Sequence, residues 1–71
     1  MPSMVHVGEN LKRLRARRYL TQRQLAEKAG VSPDTIAKLE TNRTEPRYIT
    51  LFRLADALGC TPDDITGFGR D

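Results

Sequence analysis

Cysteine and histidine are almost missing from this chain: Cys60 and His6 are the single examples of each in 71 residues. One of each excludes an intrachain disulfide framework and a zinc site built by one chain. It also leaves no Cys/His nucleophile with a base and an orienting group, so no catalytic residue, metal or cofactor is expected. With no disulfide needed, a reducing compartment is the default. No apolar run approaches the roughly 18 residues of a membrane span. Residues 1–7 lack the basic and apolar regions of a signal peptide. The length allows one small domain, and a chain of this size buries only roughly 60% of its unfolded surface, so a marginal monomer is expected.

Charge is present and unevenly spread. The net charge is +3, with 12 Lys+Arg and 9 Asp+Glu. Residues 9–28 carry a net +5 through Lys12, Arg13, Arg15, Arg17, Arg18, Arg23 and Lys28 against Glu9 and Glu27. Residues 54–71 carry a net −3. The basic half suits a polyanion partner. A solvated helix face is the other reading of such a run.

The hydropathy pattern is helical, with no convincing strand. Val7, Leu11 and Leu14 recur at i, i+4 and i+7, predicting a helix from about Gly8 to Arg18. Thr21 to Gln24 has the capping-box pattern, and Leu20 with Leu25 fits a hydrophobic staple. That helix turns Leu25, Ala26 and Ala29 inward and ends at Gly30. Ser32 caps a third helix with Pro33 at its first position, and Val31 with Ile36 repeats the staple. The third helix buries Ile36 and Leu39 and stops near Thr41-Asn42. A fourth spans about Tyr48 to Leu58, with Leu51, Leu54, Ala55 and Leu58 on one face, and Gly59 ends it. Thr61-Pro62-Asp63-Asp64 starts a short fifth helix that Gly67 stops, with both acids at the positive dipole end. Cys60 reads as a small residue packing near Ile65. The expected layout is a tail over residues 1–7, an all-α domain of five helices over 8–66, and a tail over 67–71.

The second and third helices, joined by Gly30-Val31-Ser32, have helix-turn-helix spacing. Ala26 is the small residue that a close crossing requires, and Gly30 can take a positive φ. With Ile36, Leu39 and Glu40 turned inward, the third helix presents Asp34, Ala37, Lys38 and Thr41 at i, i+3, i+4 and i+7, with Pro33 and Thr35 at its leading turn. Lys38 can donate to guanine O6/N7, and Asp34 can accept from cytosine N4. Ala37 or the Pro33 ring can touch a thymine methyl. Asp34 has a second reading, as an acid at the dipole's positive end.

Three segments, Glu9–Arg18 (ENLKRLRARR), Leu20–Glu40 (LTQRQLAEKAGVSPDTIAKLE) and Glu45–Ile65 (EPRYITLFRLADALGCTPDDI), together resemble the Cro/CI-type helix-turn-helix domain of the lambda-repressor-like or XRE group. The resemblance covers about residues 8–66. It implies five helices, with the third entering the major groove of double-stranded DNA. It implies phosphate contacts by Gln22 and Ser32, and by the loop Asn42, Arg43 and Thr44. Arg23, beside Gln22, joins this phosphate set. The free N–H groups at a helix start suit an anion. The resemblance also pairs Arg15 with Glu40 in a structural ion pair, removing Arg15 from the DNA tally. Arg17 and Arg18 read equally as phosphate contacts or as a solvated helix end. Pro33-Asp34 departs from the Gln, Arg or Ser common there among relatives.

Ile49 lies nearly opposite the inward stripe of the fourth helix, and Phe52 about 100° from it. Together with Ile65 and Phe68 they form a candidate homodimer interface. The other reading is that Phe52 closes the edge of the core and Ile49 is simply exposed. The expected function is sequence-specific transcriptional regulation by a cytoplasmic, nucleoid-associated homodimer on a palindromic operator, of the phage or plasmid repressor or restriction-modification controller kind. No membrane partner or small-molecule ligand is evident. The alternative is an antitoxin or protein-interaction module using the helix-four and helix-five surface.

Overall fold

A computed structural model describes residues 6–67. It contains five helices: α1 (Val7–Arg17), α2 (Gln22–Ala29), α3 (Pro33–Glu40), α4 (Tyr48–Leu58) and α5 (Pro62–Thr66), with no strand among the described residues. The sequence-based bounds agree to within one residue.

Local side-chain caps start α2, α3 and α5. The Thr21 side chain accepts from the Gln24 N–H at 3.0 Å, and Gln24 Oε1 accepts from the Thr21 N–H at 2.8 Å. Thr61 and Asp64 form the same reciprocal pair ahead of α5. Ser32 Oγ accepts from the Thr35 N–H at 3.2 Å, with Pro33 at the first helical position. α1 is different. His6 makes no side-chain cap bond. Instead Asn42 Oδ1, 34 residues on, accepts from the Gly8 N–H at 3.1 Å. Gly8 sits where α1 meets the end of α3. A Cβ there would lie 2.6 Å from the Glu40 carbonyl oxygen and 2.8 Å from that of Leu39.

Helix ends share one device. After α1, α2, α3 and α4 the chain turns left-handed at Tyr19 (φ 56°), Gly30 (φ 74°), Asn42 (φ 57°) and Gly59 (φ 68°). At each end two N–H groups reach back to the last turn. Leu20 and Tyr19 donate to Arg15 and Ala16, and Val31 and Gly30 to Ala26 and Glu27. Arg43 and Asn42 donate to Lys38 and Leu39, and Cys60 and Gly59 to Ala55 and Asp56. These are Schellman closures. Glycine and asparagine take this conformation cheaply, whereas another L-residue pays roughly 1–2 kcal/mol. Tyr19 is thus the costly member of the four.

The core draws on every helix. Leu11, Leu25, Ile36, Leu39, Leu54 and Ile65 are fully buried, and Ala26 is closed off between α2 and its neighbours. Leu14, Leu20, Val31 and Cys60 pack around this cluster. Leu20 and Val31, the outer members of the two expected staples, thus pack against the cluster that holds Leu25 and Ile36. Asn10 Nδ2 donates to the Ile65 carbonyl at 2.9 Å, tying α1 to α5. Ile65 was expected at a dimer interface. It is 0% exposed, so its side chain belongs to this core and cannot touch a partner.

Candidate nucleic-acid interface

The α2–turn–α3 unit is held in place by one ion-pair cluster. Arg15 Nε donates to Glu40 Oε2 at 2.6 Å, and Nη2 to Oε1 at 3.0 Å. Arg15 Nη1 donates to the Leu20 carbonyl at 2.7 Å. The Glu40 side chain is 3% exposed and that of Arg15 16%. The hydrogen bonds to Glu40 raise the Arg15 pKa above its ordinary value, while burial opposes the rise. The guanidinium therefore carries its charge throughout the neutral range. One arginine thus fixes the end of α1, the turn into α2 and the last residue of α3.

Gln22 joins this cluster. Its Nε2 donates to Glu40 Oε1 at 3.0 Å, and its side chain is half-buried. One of the two N–H groups of its amide is thus used within the chain. The N–H groups of Gln22 and Arg23 have no acceptor inside the helix and stay available to an anion. Arg23 is exposed beside them.

On α3, Pro33, Asp34, Lys38 and Thr41 are exposed, and Thr35 and Ala37 are half-buried. Ile36 and Leu39 are buried, so the face read from the sequence is the face presented. Three details go beyond the sequence reading. Lys38 Nζ lies 3.0 Å from Asp34 Oδ2, an i,i+4 pair with both side chains more than half exposed. Such a pair is worth about 0–1 kcal/mol, so the two groups separate cheaply when another partner arrives. The Ser32 and Thr35 hydroxyls lie 2.9 Å apart and bond to each other. Thr41 Oγ1 donates to the Ala37 carbonyl at 2.9 Å.

An open groove of about 550 Å³ runs between this face and the α3–α4 loop. Lys38, Arg43, Thr44 and Arg47 line it, with Asp34 and Glu45. Arg47 was not singled out at the sequence level. Asn42 is exposed, but its Oδ1 is bound to the Gly8 N–H, a structural role the sequence did not disclose.

Away from this face, Tyr48, Ile49 and Phe52 are 74%, 58% and 51% exposed. The Tyr48 and Phe52 rings stand 5.1 Å apart, one helical turn from each other. Tyr48 extends the apolar patch expected from Ile49 and Phe52. Phe68 lies outside the described residues. Next to this patch, Arg53 Nη1 donates to the Gly30 carbonyl in the α2–α3 turn at 3.3 Å. Among the described residues, no group of three or more His, Cys, Asp or Glu is placed to hold a metal, and no helix is long and apolar enough to cross a membrane.

A family model described as helix-turn-helix matches residues 11–65. No curated protein matches the chain. Among solved structures, the P22 c2 repressor in complex with a synthetic operator is similar, with a TM-score of 0.79 at 34% identity, over 83% of this chain and 89% of that one. The restriction-modification controller protein C.AhdI from Aeromonas hydrophila gives a TM-score of 0.83 at 26% identity, over 87% and 94%. The clp gene regulator ClgR from Corynebacterium glutamicum gives 0.78 at 36% identity, over 83% of this chain and 63% of that one.

Proposed function

This chain belongs to the helix-turn-helix family, and we propose that it is a sequence-specific regulator of transcription that binds double-stranded DNA as a homodimer. The observation that carries the reading is the exposed face of α3, with Lys38 on it and a groove bearing Arg43, Thr44 and Arg47 beside it. The similar solved structures include a repressor on its operator, a restriction-modification controller and a gene regulator, all the same class of protein.

In this reading α3 lies in the major groove. Lys38 leaves Asp34 and donates to guanine O6/N7, and Asp34 is freed to accept from cytosine N4. Pro33, Thr35, Ala37 and Thr41 supply the remaining contact surface toward base edges. The N–H groups of Gln22 and Arg23, the Arg23 side chain, Ser32, Arg43 and Thr44 hold phosphates and fix the register. The amide nitrogen of Asn42 does the same while its oxygen holds α1. The Arg15–Glu40 pair stays structural. The patch of Tyr48, Ile49 and Phe52 faces a second copy, which sets two α3 helices roughly 34 Å apart on one side of the duplex. The expected setting is the cytoplasm, on the nucleoid.

Fluorescence anisotropy with labelled duplexes tests the reading. Affinity should fall steeply with salt, by on the order of 10³-fold between about 50 and 200 mM if a dimer neutralises about six phosphates or more. Lys38→Ala should cost about 1–3 kcal/mol on the preferred site and less on random duplex. Binding that ignores salt would contradict the reading. Equal loss on both duplexes would reduce Lys38 to a phosphate contact.

A further inference from the structure

Four helices end in the same left-handed closure, and three of the closing residues account for themselves. Gly30 and Gly59 take the conformation freely, and Asn42 uses its side chain to hold the Gly8 N–H. Tyr19 does neither. The residue is 93% exposed, and among the described residues no side-chain hydrogen bond or ring contact holds it. The chain thus carries a large aromatic in a backbone conformation that disfavours it, with nothing inside the fold to compensate.

Its position suggests the compensation. Tyr19 directly precedes Leu20, whose carbonyl is pinned by Arg15 at 2.7 Å. The same arginine holds Glu40, and Gln22 reaches Glu40 as well. The turn bearing Tyr19, the start of α2 and the end of α3 are therefore one rigid unit. Three and four residues after Tyr19 come the N–H groups of Gln22 and Arg23, which have no acceptor inside the helix. Tyr19 itself is left open to solvent.

We propose that Tyr19 is a DNA-backbone contact: its ring lies against a deoxyribose, and its phenolic O–H donates to a phosphate oxygen next to the one held at the start of α2. This rests on the DNA-binding reading above. A hydrogen bond from a neutral donor to phosphate strengthens binding whatever the base sequence. It adds no charge, so it leaves the salt dependence unchanged.

The test uses the full chain with Tyr19→Gly, Tyr19→Asn and Tyr19→Phe, titrated by anisotropy against a random-sequence duplex and the preferred site. Glycine and asparagine relieve the backbone, so their melting temperatures should equal or exceed the parent's. Their Kd should nonetheless rise about 5- to 30-fold on both duplexes, with the salt slope unchanged. Tyr19→Phe keeps the ring and loses the hydroxyl, and should fall between them and the parent. Parent-like binding by Tyr19→Gly and Tyr19→Asn overturns the proposal. So does a loss confined to the preferred site, which makes Tyr19 a base contact, or a loss that tracks a lower melting temperature, which makes it structural. A parent chain that binds neither duplex overturns the DNA-binding reading itself, so the two failures are distinguishable.

Discussion

At the scale of single residues, Glu40 has the largest structural task. It receives three donors, two from Arg15 and one from Gln22, at a site 3% exposed. Removing one partner of a buried pair strands the other charge, which costs about 3–5 kcal/mol. Glu40→Ala should therefore lower stability by about 3 kcal/mol or more, and a domain this small loses roughly 4–8 °C of melting temperature per kcal/mol. Thermal circular dichroism reads this directly. Arg15→Met with Glu40→Leu should recover much of the loss, because it strands no charge. A drop of less than about 1 kcal/mol for Glu40→Ala would place the pair among ordinary surface salt bridges. Lys38 and Asp34 are such a pair. Their mutual contact holds little energy and leaves both open to a partner.

At the scale of elements, the contact between α1 and α3 depends on one missing methyl group. A Cβ at position 8 would meet the backbone oxygens of Leu39 and Glu40, which cannot step aside as a flexible side chain does. Gly8→Ala should cost about 1–3 kcal/mol by overpacking, read as a shift in the denaturation midpoint without a change in slope. An unchanged midpoint would mean that α1 slides freely on α3. This contact also marks what the sequence could reveal. The helices were legible because their signals are local: Thr21 with Gln24, Ser32 with Pro33, and Thr61 with Asp64 lie within four residues of each other. The α3 face was legible because burial of Ile36 and Leu39 orients everything else on the helix. The non-local bonds were not. No sequence pattern announces that Asn42 caps α1, that Gln22 turns back to Glu40, or that Arg53 reaches the Gly30 carbonyl. Ile65 was misplaced for a related reason. In a five-residue helix periodicity cannot say which side is inward, and in the fold the Ile65 side chain is fully buried in the core. The cost at Tyr19 was hidden because the helix end carries neither glycine nor asparagine.

At the scale of the whole molecule, a small core and an exposed apolar patch meet in one expectation. Tyr48, Ile49 and Phe52 form a surface more than half exposed in the monomer. Ile49→Asp with Phe52→Ser should yield a folded monomer by sedimentation, with operator binding weakened and random-duplex binding changed less. A double variant that stays dimeric would move the interface elsewhere. Arg53 lies on the same helix and donates to the Gly30 carbonyl in the α2–α3 turn, so the patch on α4 and the reading unit share one hydrogen-bonded contact. The most direct measurement is selection of binding sites from a pool of random duplex DNA by the purified chain. The account predicts an enriched inverted repeat whose half-site centres lie about 34 Å, or roughly 10 base pairs, apart. A pool that stays random after repeated rounds, in salt low enough to retain phosphate contacts, would contradict sequence-specific binding.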